Sequence, residues 1–582
     1  MSFKALMADF GHGVTSVFKG KPDKDNIYKK DGRVPFGQAL AFGIQHIFAM
    51  FIANVAPILI VFGFIGLTGS GIPAEYADFA SNAVRGCIFI AGVGTIIQLL
   101  LGARLPIVIG TSFTFVGLFQ SFYHGKPFTF TPDATIEAYY TIMACIIIGG
   151  LFIALIGPLV KYWSKLLKPI VPAIVVLGIG LSLLSVGASY FLGEEFTVIQ
   201  DSMTTPGALE LVPNYVYYII VAGVTLLVSL IWNLCAKGIW KNLNIIVAMI
   251  VGYLLALTFN FTVCPGIIPV DWGTKFAVDS VGDVINIPIP IDFTQLVFKP
   301  VPIIMTCIIF AVASVEGIGD SSAVCEGGLG RKITSRELGG VLTIDGFSSF
   351  LAGIFGSLPL TTFSQNVGIV SQTKMVNRFT IFVGACFLVL CGFFPMLANL
   401  LLTIPYCVLG GAIIIVFGSI AVTGIKMITK VGLDEKNSLI LALSICLGFG
   451  ITLMGRFMSA LNTAGLQNVA TIISNPVLNM FLISVILSWI LPKDMDFSFK
   501  KKKKEIKENL VDEQVQNKPL EASKVEEPEG RKLVLSVKKY NDKGDIQSIN
   551  IDEKSPSDHS ELKSIISDSI KSEFDKFYDK NK

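Results

Sequence analysis

Long apolar runs separated by short polar segments fill the chain from residue 37 to residue 491. Most have the length, about 20 residues, that crosses a hydrocarbon core. They lie near 37–62, 83–102, 105–122, 138–160, 169–190, 215–233, 243–261, 298–319, 337–355, 359–373, 378–400, 405–425, 437–455 and 469–491. That is fourteen, or twelve without the third and tenth, which are short and interrupted. The tenth stands out. Ser357 to Lys374, SLPLTTFSQNVGIVSQTK, is rich in Thr, Ser, Gln and Asn and begins beside a proline. Irregular polar backbone at membrane depth is tolerated only where it is buried in protein or lines a water-filled space.

The loops test the count. The N-terminal arm carries Lys19, Lys21, Lys24, Lys29, Lys30 and Arg33. With that arm inside, the later inner loops hold Arg104; Lys161, Lys165 and Lys168; Lys237 and Lys241; Arg331, Lys332 and Arg336; Lys374 and Arg378; and Lys426, Lys430 and Lys436. The outer loops, such as Gly193–Asn214 and Thr262–Gln295, are acidic or plain. This follows the positive-inside rule, with Arg456 an exception, and only when both short segments count as crossings. The pattern therefore predicts fourteen spans with both termini in the cytoplasm. No signal-peptide pattern precedes the first span.

Composition agrees with a membrane body. The chain is 52% hydrophobic and 15% charged, with a mean hydropathy of +0.67. Residues 493–582 hold 20 of the 46 Lys/Arg and 20 of the 43 Asp/Glu. That tail reads as disordered cytoplasmic chain. Its opening Lys500–Lys504 run favours anionic lipid. Lys532–Tyr540 has strand-like alternation, and Ser564–Tyr578 has the pattern of an amphipathic helix. The domain plan is an arm over 1–35, seven spans over 36–262, seven more over 296–492, and the tail. The ten cysteines stand singly, mostly within apolar runs, and read as small core residues.

The third and tenth crossings are alike. Leu105–Phe115 reads LPIVIGTSFTF and Leu358–Asn366 reads LPLTTFSQN: a proline, a few residues of strand propensity, then small polar residues able to start a half-helix. They hold corresponding places in two seven-span halves. Paired interrupted segments of this kind point to a transporter's midplane site. Because seven is odd, the second half enters from the opposite side, which gives an inverted repeat.

Span eight carries Glu316 and Asp320 four residues apart, on one helical face. Span nine carries Asp345. Acids at such depth face a cavity, a partner or a proton path, and Asp345 also suits bracing the backbone of a broken helix. His46 in span one either carries a proton or hydrogen-bonds a facing helix. Phe113 can stack on a flat ligand or pack the interior. No HExxH, glycine-rich phosphate loop or Ser/His/Asp arrangement is present, so no covalent chemistry, cofactor or metal is expected.

These residues together resemble the nucleobase–ascorbate transporter family, the xanthine/uracil type of nucleobase–cation symporter. Gln365–Lys374 fits that family's signature, and Gln45–Phe51, Gly110–Phe115 and Glu316–Asp320 fit its other blocks. The resemblance covers about residues 30–492 and leaves out the tail. It implies an all-α membrane fold of fourteen spans in two inverted repeats, with short strands in spans 3 and 10. Spans 1–4 and 8–11 would form a core domain, and spans 5–7 and 12–14 a gate domain. It implies a plasma-membrane symporter importing a small-molecule nucleobase, with protons as coupling ion, sodium left open, dimers common and no nucleic-acid partner. Carried over by position, Glu316 and Gln365 bind the base and Phe113 stacks on it. Ala53, Phe363, Ser364 and Asn366 line the site, while Asp320, Asp345 and His46 serve proton coupling or structure. Gln365 followed by Asn366 resembles xanthine- and urate-type members; uracil-type members often have Glu there. The alternatives are a uracil permease of the same family and an anion transporter of the fold-related sulfate type.

Overall fold

The computed structural model describes residues 13–67, 74–122, 132–163, 168–193, 215–263, 282, 284–492, 532–540 and 546–554. Met1–Asp496 and Phe497–Lys582 are separate compact units. In the second unit, strands Lys532–Tyr540 and Ile546–Lys554 pair as an antiparallel hairpin. The amphipathic pattern over 564–578 lies outside the described residues.

The first unit is mostly helical. Its first half contains α1 (Phe36–Phe64), α2 (Ala74–Leu100), β1 (Ile109–Thr111), α3 (Val116–Ser121), α4 (Pro132–Ile156), α5 (Ile170–Phe191), α6 (Tyr215–Cys235) and α7 (Asn244–Thr258). Its second half contains α8 (Pro300–Ala323), α9 (Ser335–Ile354), β2 (Leu360–Thr362), α10 (Ser364–Thr373), α11 (Arg378–Cys391), α12 (Pro395–Leu402) and α13 (Tyr406–Val431). It closes with α14 (Glu435–Leu443), α15 (Gly455–Thr463), α16 (Gln467–Ile473) and α17 (Pro476–Ile490). Among the described residues, nine helices are long and apolar enough to cross a membrane. The number is eleven if the bent pairs α11–α12, at 81°, and α16–α17, at 77°, each count as one span.

The bends have local causes. Pro395 and Pro476 occupy the first turns of α12 and α17. A proline is accepted there because the first N–H groups of a helix have no internal partner. Asn475 then caps α17 through the N–H of Leu478 at 2.7 Å. The unbroken runs expected over 378–400 and 469–491 are therefore each two helices. The Arg456 exception falls in α15, a short helix between candidate spans.

Two groups of helices pack mainly among themselves. In one, α11 lies along α1 and α2, and α4 lies along α8 and α9. In the other, α13 lies along α5, α6 packs on α7, and α17 packs on α5. Lipid tails are as apolar as the helix surfaces, so close backbone approach and van der Waals contact drive this association. At the α1–α11 crossing, a Cβ on Gly384 would stand 2.6 Å from the Gly43 carbonyl oxygen.

At one end of the first group, an extended segment ties three helices together. Ile289 and Asn82 exchange two hydrogen bonds of 2.8 Å, linking the segment to α2. The N–H of Asn286 donates to Phe393, after α11, and that of Ile291 donates to Ile354 in α9, both at 2.8 Å.

Gly384→Val is expected to force α1 and α11 apart, at a cost of about 1–3 kcal/mol. Thermal unfolding of the detergent-solubilised protein measures this. An unchanged midpoint would mean that the two backbones separate without loss.

Candidate functional site

Two prolines, Pro106 and Pro359, precede short stretches rich in residues that favour extended backbone. These stretches become β1 and β2, which pair antiparallel with Gly110 opposite Thr361. Flanking bonds extend the ladder: Ser112 N–H donates to Pro359 at 2.9 Å and Phe363 N–H to Val108 at 3.0 Å. β2 leads into the half-helix α10 after Phe363, and β1 leads into α3 through a 3-10 turn over Phe113–Phe115.

A two-stranded ladder leaves outward N–H groups unpaired, which is costly where no water reaches. Here side chains take them up. Thr95 Oγ1 accepts from Ile109 N–H at 3.0 Å, and Asn54 Oδ1 accepts from Thr111 N–H at 2.7 Å. Ser349 Oγ accepts from Leu360 N–H at 2.9 Å and donates to the Leu360 carbonyl at 3.0 Å. The Asp345 carboxylate lies beside Thr362 of β2, both bordering Gly317 of α8. Gly317 of α8 makes room there: a Cβ on it would stand 3.2 Å from Asp345 Oδ2.

Glu316 and Asp320 of α8 each meet the start of one half-helix. Thr114 Oγ1 donates to Glu316 Oε2 at 3.1 Å. Ser364 Oγ, at the first residue of α10, donates to Asp320 Oδ2 at 2.7 Å. Gln365 follows, half-buried, and its amide makes no hydrogen bond to the described protein. One turn further along, open space begins. No heavy atom lies within 4 Å of where a Cβ would stand at Gly319 of α8 or Gly368 of α10.

Phe113 is 9% exposed and meets the ring of Phe417 of α13 edge-on, with centroids 5.3 Å apart. The Phe363 ring covers Gly110, where a Cβ would stand 2.7 Å from ring carbons and 2.8 Å from the Met50 methyl. Ala53 is buried in α1, one turn beyond Met50. Asn366 turns away from the acids. Its Nδ2 donates to the His46 carbonyl at 2.9 Å and lies 3.1 Å from His46 Nδ1, pinning α10 to α1.

The structure thus gathers Glu316, Asp320 and Ser364 with Thr114 at the strand crossing, and Gln365 follows Ser364 in α10. Phe363 stands over Gly110, Phe113 meets Phe417, Asp345 lies beside Thr362 of β2, and His46 with Asn366 makes a helix–helix contact. Pattern reading missed Thr114, Asn54, Thr95 and Ser349. The first lies inside GTSFTF, and the others are small polar residues within apolar runs. Chemically the cluster offers acceptors from two acids, one amide with a donor beside an acceptor, and an aromatic ring. That set suits a flat heterocycle edged with N–H and C=O groups.

Residues 37–456 match a family model, Xan_ur_permease, described as "Permease family". The chain is 30% identical over 483 residues to xanthine permease XanQ of Escherichia coli K12, covering 80% of this chain and 94% of that protein. It is 28% identical over 438 residues to xanthine permease XanP of the same organism, covering 73% and 87%. Against its uric acid transporter UacT the identity is 27% over 434 residues, covering 73% and 81%. Among solved structures, the transmembrane domain of a cyanobacterium bicarbonate transporter, BicA, gives a TM-score of 0.45 at 18% identity, covering 73% of this chain and 96% of that one.

Ser349→Ala leaves the Leu360 N–H without a partner and is expected to cost about 1–3 kcal/mol. Thr95→Val should do the same at Ile109. Both are read from thermal unfolding; wild-type stability in either would mean that another acceptor replaces the lost hydroxyl.

Proposed function

The chain belongs to the Xan_ur_permease family of permeases, and on that premise we propose that it imports a purine nucleobase, xanthine first, by proton symport. The observation that carries the reading is the unpartnered Gln365 amide, next in α10 to Ser364, where the half-helix starts tie down the two acids of α8. A carboxamide presents one donor next to one acceptor. A xanthine edge presents the complement, an N–H beside a C=O, so Gln365 holds it with two hydrogen bonds. Ionised Glu316 accepts from N–H groups on another edge, and Phe113 covers a face of the ring. A base lacking those groups leaves buried polar atoms unpaired and is rejected. Within the Glu316–Asp320 pair, Asp320 holds the coupled proton while Glu316 stays ionised against the base. Asp345 braces β2, while Ala53, Phe363, Ser364 and Asn366 shape the pocket.

The same reading takes residues 36–262 and 296–492 as two inverted seven-span repeats in the plasma membrane, with both termini in the cytoplasm. Three segments bring the eleven candidate spans to fourteen: β1 with α3, the helix α9, and β2 with α10. The helix contacts support this. Exchanging α1 with α8, α2 with α9 and α4 with α11 turns each α11 contact into the corresponding α4 contact. In this reading the α1–α4 and α8–α12 group is the core domain, and it moves against the α5–α7 and α13–α17 gate to give alternating access.

Glu316→Gln and Gln365→Ala are each expected to lower xanthine uptake at least about tenfold, the loss of a hydrogen bond to a charged or tightly held group, while the protein still reaches the membrane. Labelled xanthine uptake in a transport-null cell, with and without a proton gradient, tests this. Normal uptake in either variant removes the site assignment. Gln365→Glu is expected to shift competition toward uracil and away from urate, whereas an unchanged ranking of competitors would take substrate choice away from this position.

A further inference from the structure

By pattern the N-terminal arm is a basic leader to the first span, yet in the structure it is built into the helices that carry the site. Residues 23–34 run along the link between α10 and α11. Val376 N–H donates to Ile27 at 3.1 Å and Arg378 N–H to Lys30 at 3.0 Å. The Asn377 amide nitrogen reaches the carbonyls of Asn26, Lys29 and Gly32 at 2.9, 3.1 and 3.0 Å. Arg378 is 1% exposed. Its Nε donates to Asp31 Oδ1, Nη1 to the Leu99 carbonyl of α2, and Nη2 to Ser16 Oγ, each at 2.7 Å. Nη2 also reaches Asp31. Val17, Ile27 and Val34 of the arm share a buried apolar cluster with Met375, Phe379 and Val383.

The network reaches the acid-bearing helix as well. Lys374, with left-handed backbone at φ 59°, closes α10, and its Nζ donates to Gly327 just past α8. Gln365 is the second residue of the ten-residue α10, and the arm holds the other end, about 15 Å away. A stiff helix fixed at one end transmits a small rotation of that end to a side chain at the other.

We infer that Asp31 and Arg378 are positioning residues for the site: their ion pair fastens the arm to the α10–α11 link, and through α10 sets where the Gln365 amide stands relative to Glu316. The inference rests on the proposed purine-binding role of those two groups. It also assigns the arm to the body that carries the substrate.

The full-length chain tests it in two ways. Asp31→Asn is expected to raise KM for xanthine at least fivefold, with Vmax per membrane copy within twofold of wild type. A role confined to folding would instead lower the copy number and leave KM unchanged. Arg378→Lys, which keeps the charge and loses the planar fork, should behave alike. Where these variants fold poorly, an Ile27→Cys/Val376→Cys disulfide added to Asp31→Asn should restore KM, and reduction should raise it again. The second test needs no transport. Gln365→Cys, followed by mass spectrometry of its alkylated peptide, should react at least threefold faster or slower once Asp31→Asn is added. An unchanged alkylation rate, or wild-type KM in Asp31→Asn, overturns the inference. Absence of purine uptake by the wild type would instead overturn the proposed function, with the alkylation rate still reporting on the arm.

Discussion

The backbone of β1 and β2 is buried along its whole length and must find hydrogen-bond partners within the protein, and the surrounding structure answers that demand. Three-residue strands give each other only half of what they need. Thr95, Asn54 and Ser349, reaching in from α2, α1 and α9, supply partners from outside the ladder. Helices are self-sufficient in lipid and a broken helix is not. The break at the strand crossing is thus held open by its neighbours, and it lets two half-helix starts face α8 together.

From that crossing the chemistry follows by proximity. Thr114 and Ser364 leave the strands in the two halves of the chain and reach acids one turn apart on a single helix. The hydroxyls fix where the carboxyls point, and the neighbouring amide is left without a partner. A binding group held ready in this way spends less of its interaction energy on ordering itself when a ligand arrives.

Much of this was legible in the sequence because membrane depth makes polar residues conspicuous. Glu316, Asp320 and the Gln365–Asn366 pair stand out in runs that are otherwise apolar, and the two Leu-Pro segments mark both strands. Other features were hidden for identifiable reasons. Asn54, Thr95 and Ser349 are small, single and close to helix interiors, where a Ser or Thr ordinarily bonds its own preceding turn. Asn366 carries a strong motif signal, but adjacent positions on a helix point about 100° apart. Only packing decides that Ser364 reaches Asp320 while Asn366 faces His46. Charge counting placed the arm on one side of the membrane without showing that Arg378, at the start of the eleventh run, is buried against it.

The strand pair also bears on how the protein is made. β1 and β2 belong to different halves of the chain, separated by about 250 residues. At a synthesis rate of about 5–20 residues per second, the ribosome needs roughly 10–50 seconds to make the intervening chain. Throughout that interval Thr95 and Asn54 are already available to β1, but the ladder edge that belongs to β2 has no occupant. The β1 segment therefore cannot reach its final form when it leaves the insertion machinery. Its completion is a late event in biogenesis, set by the arrival of Leu360–Thr362.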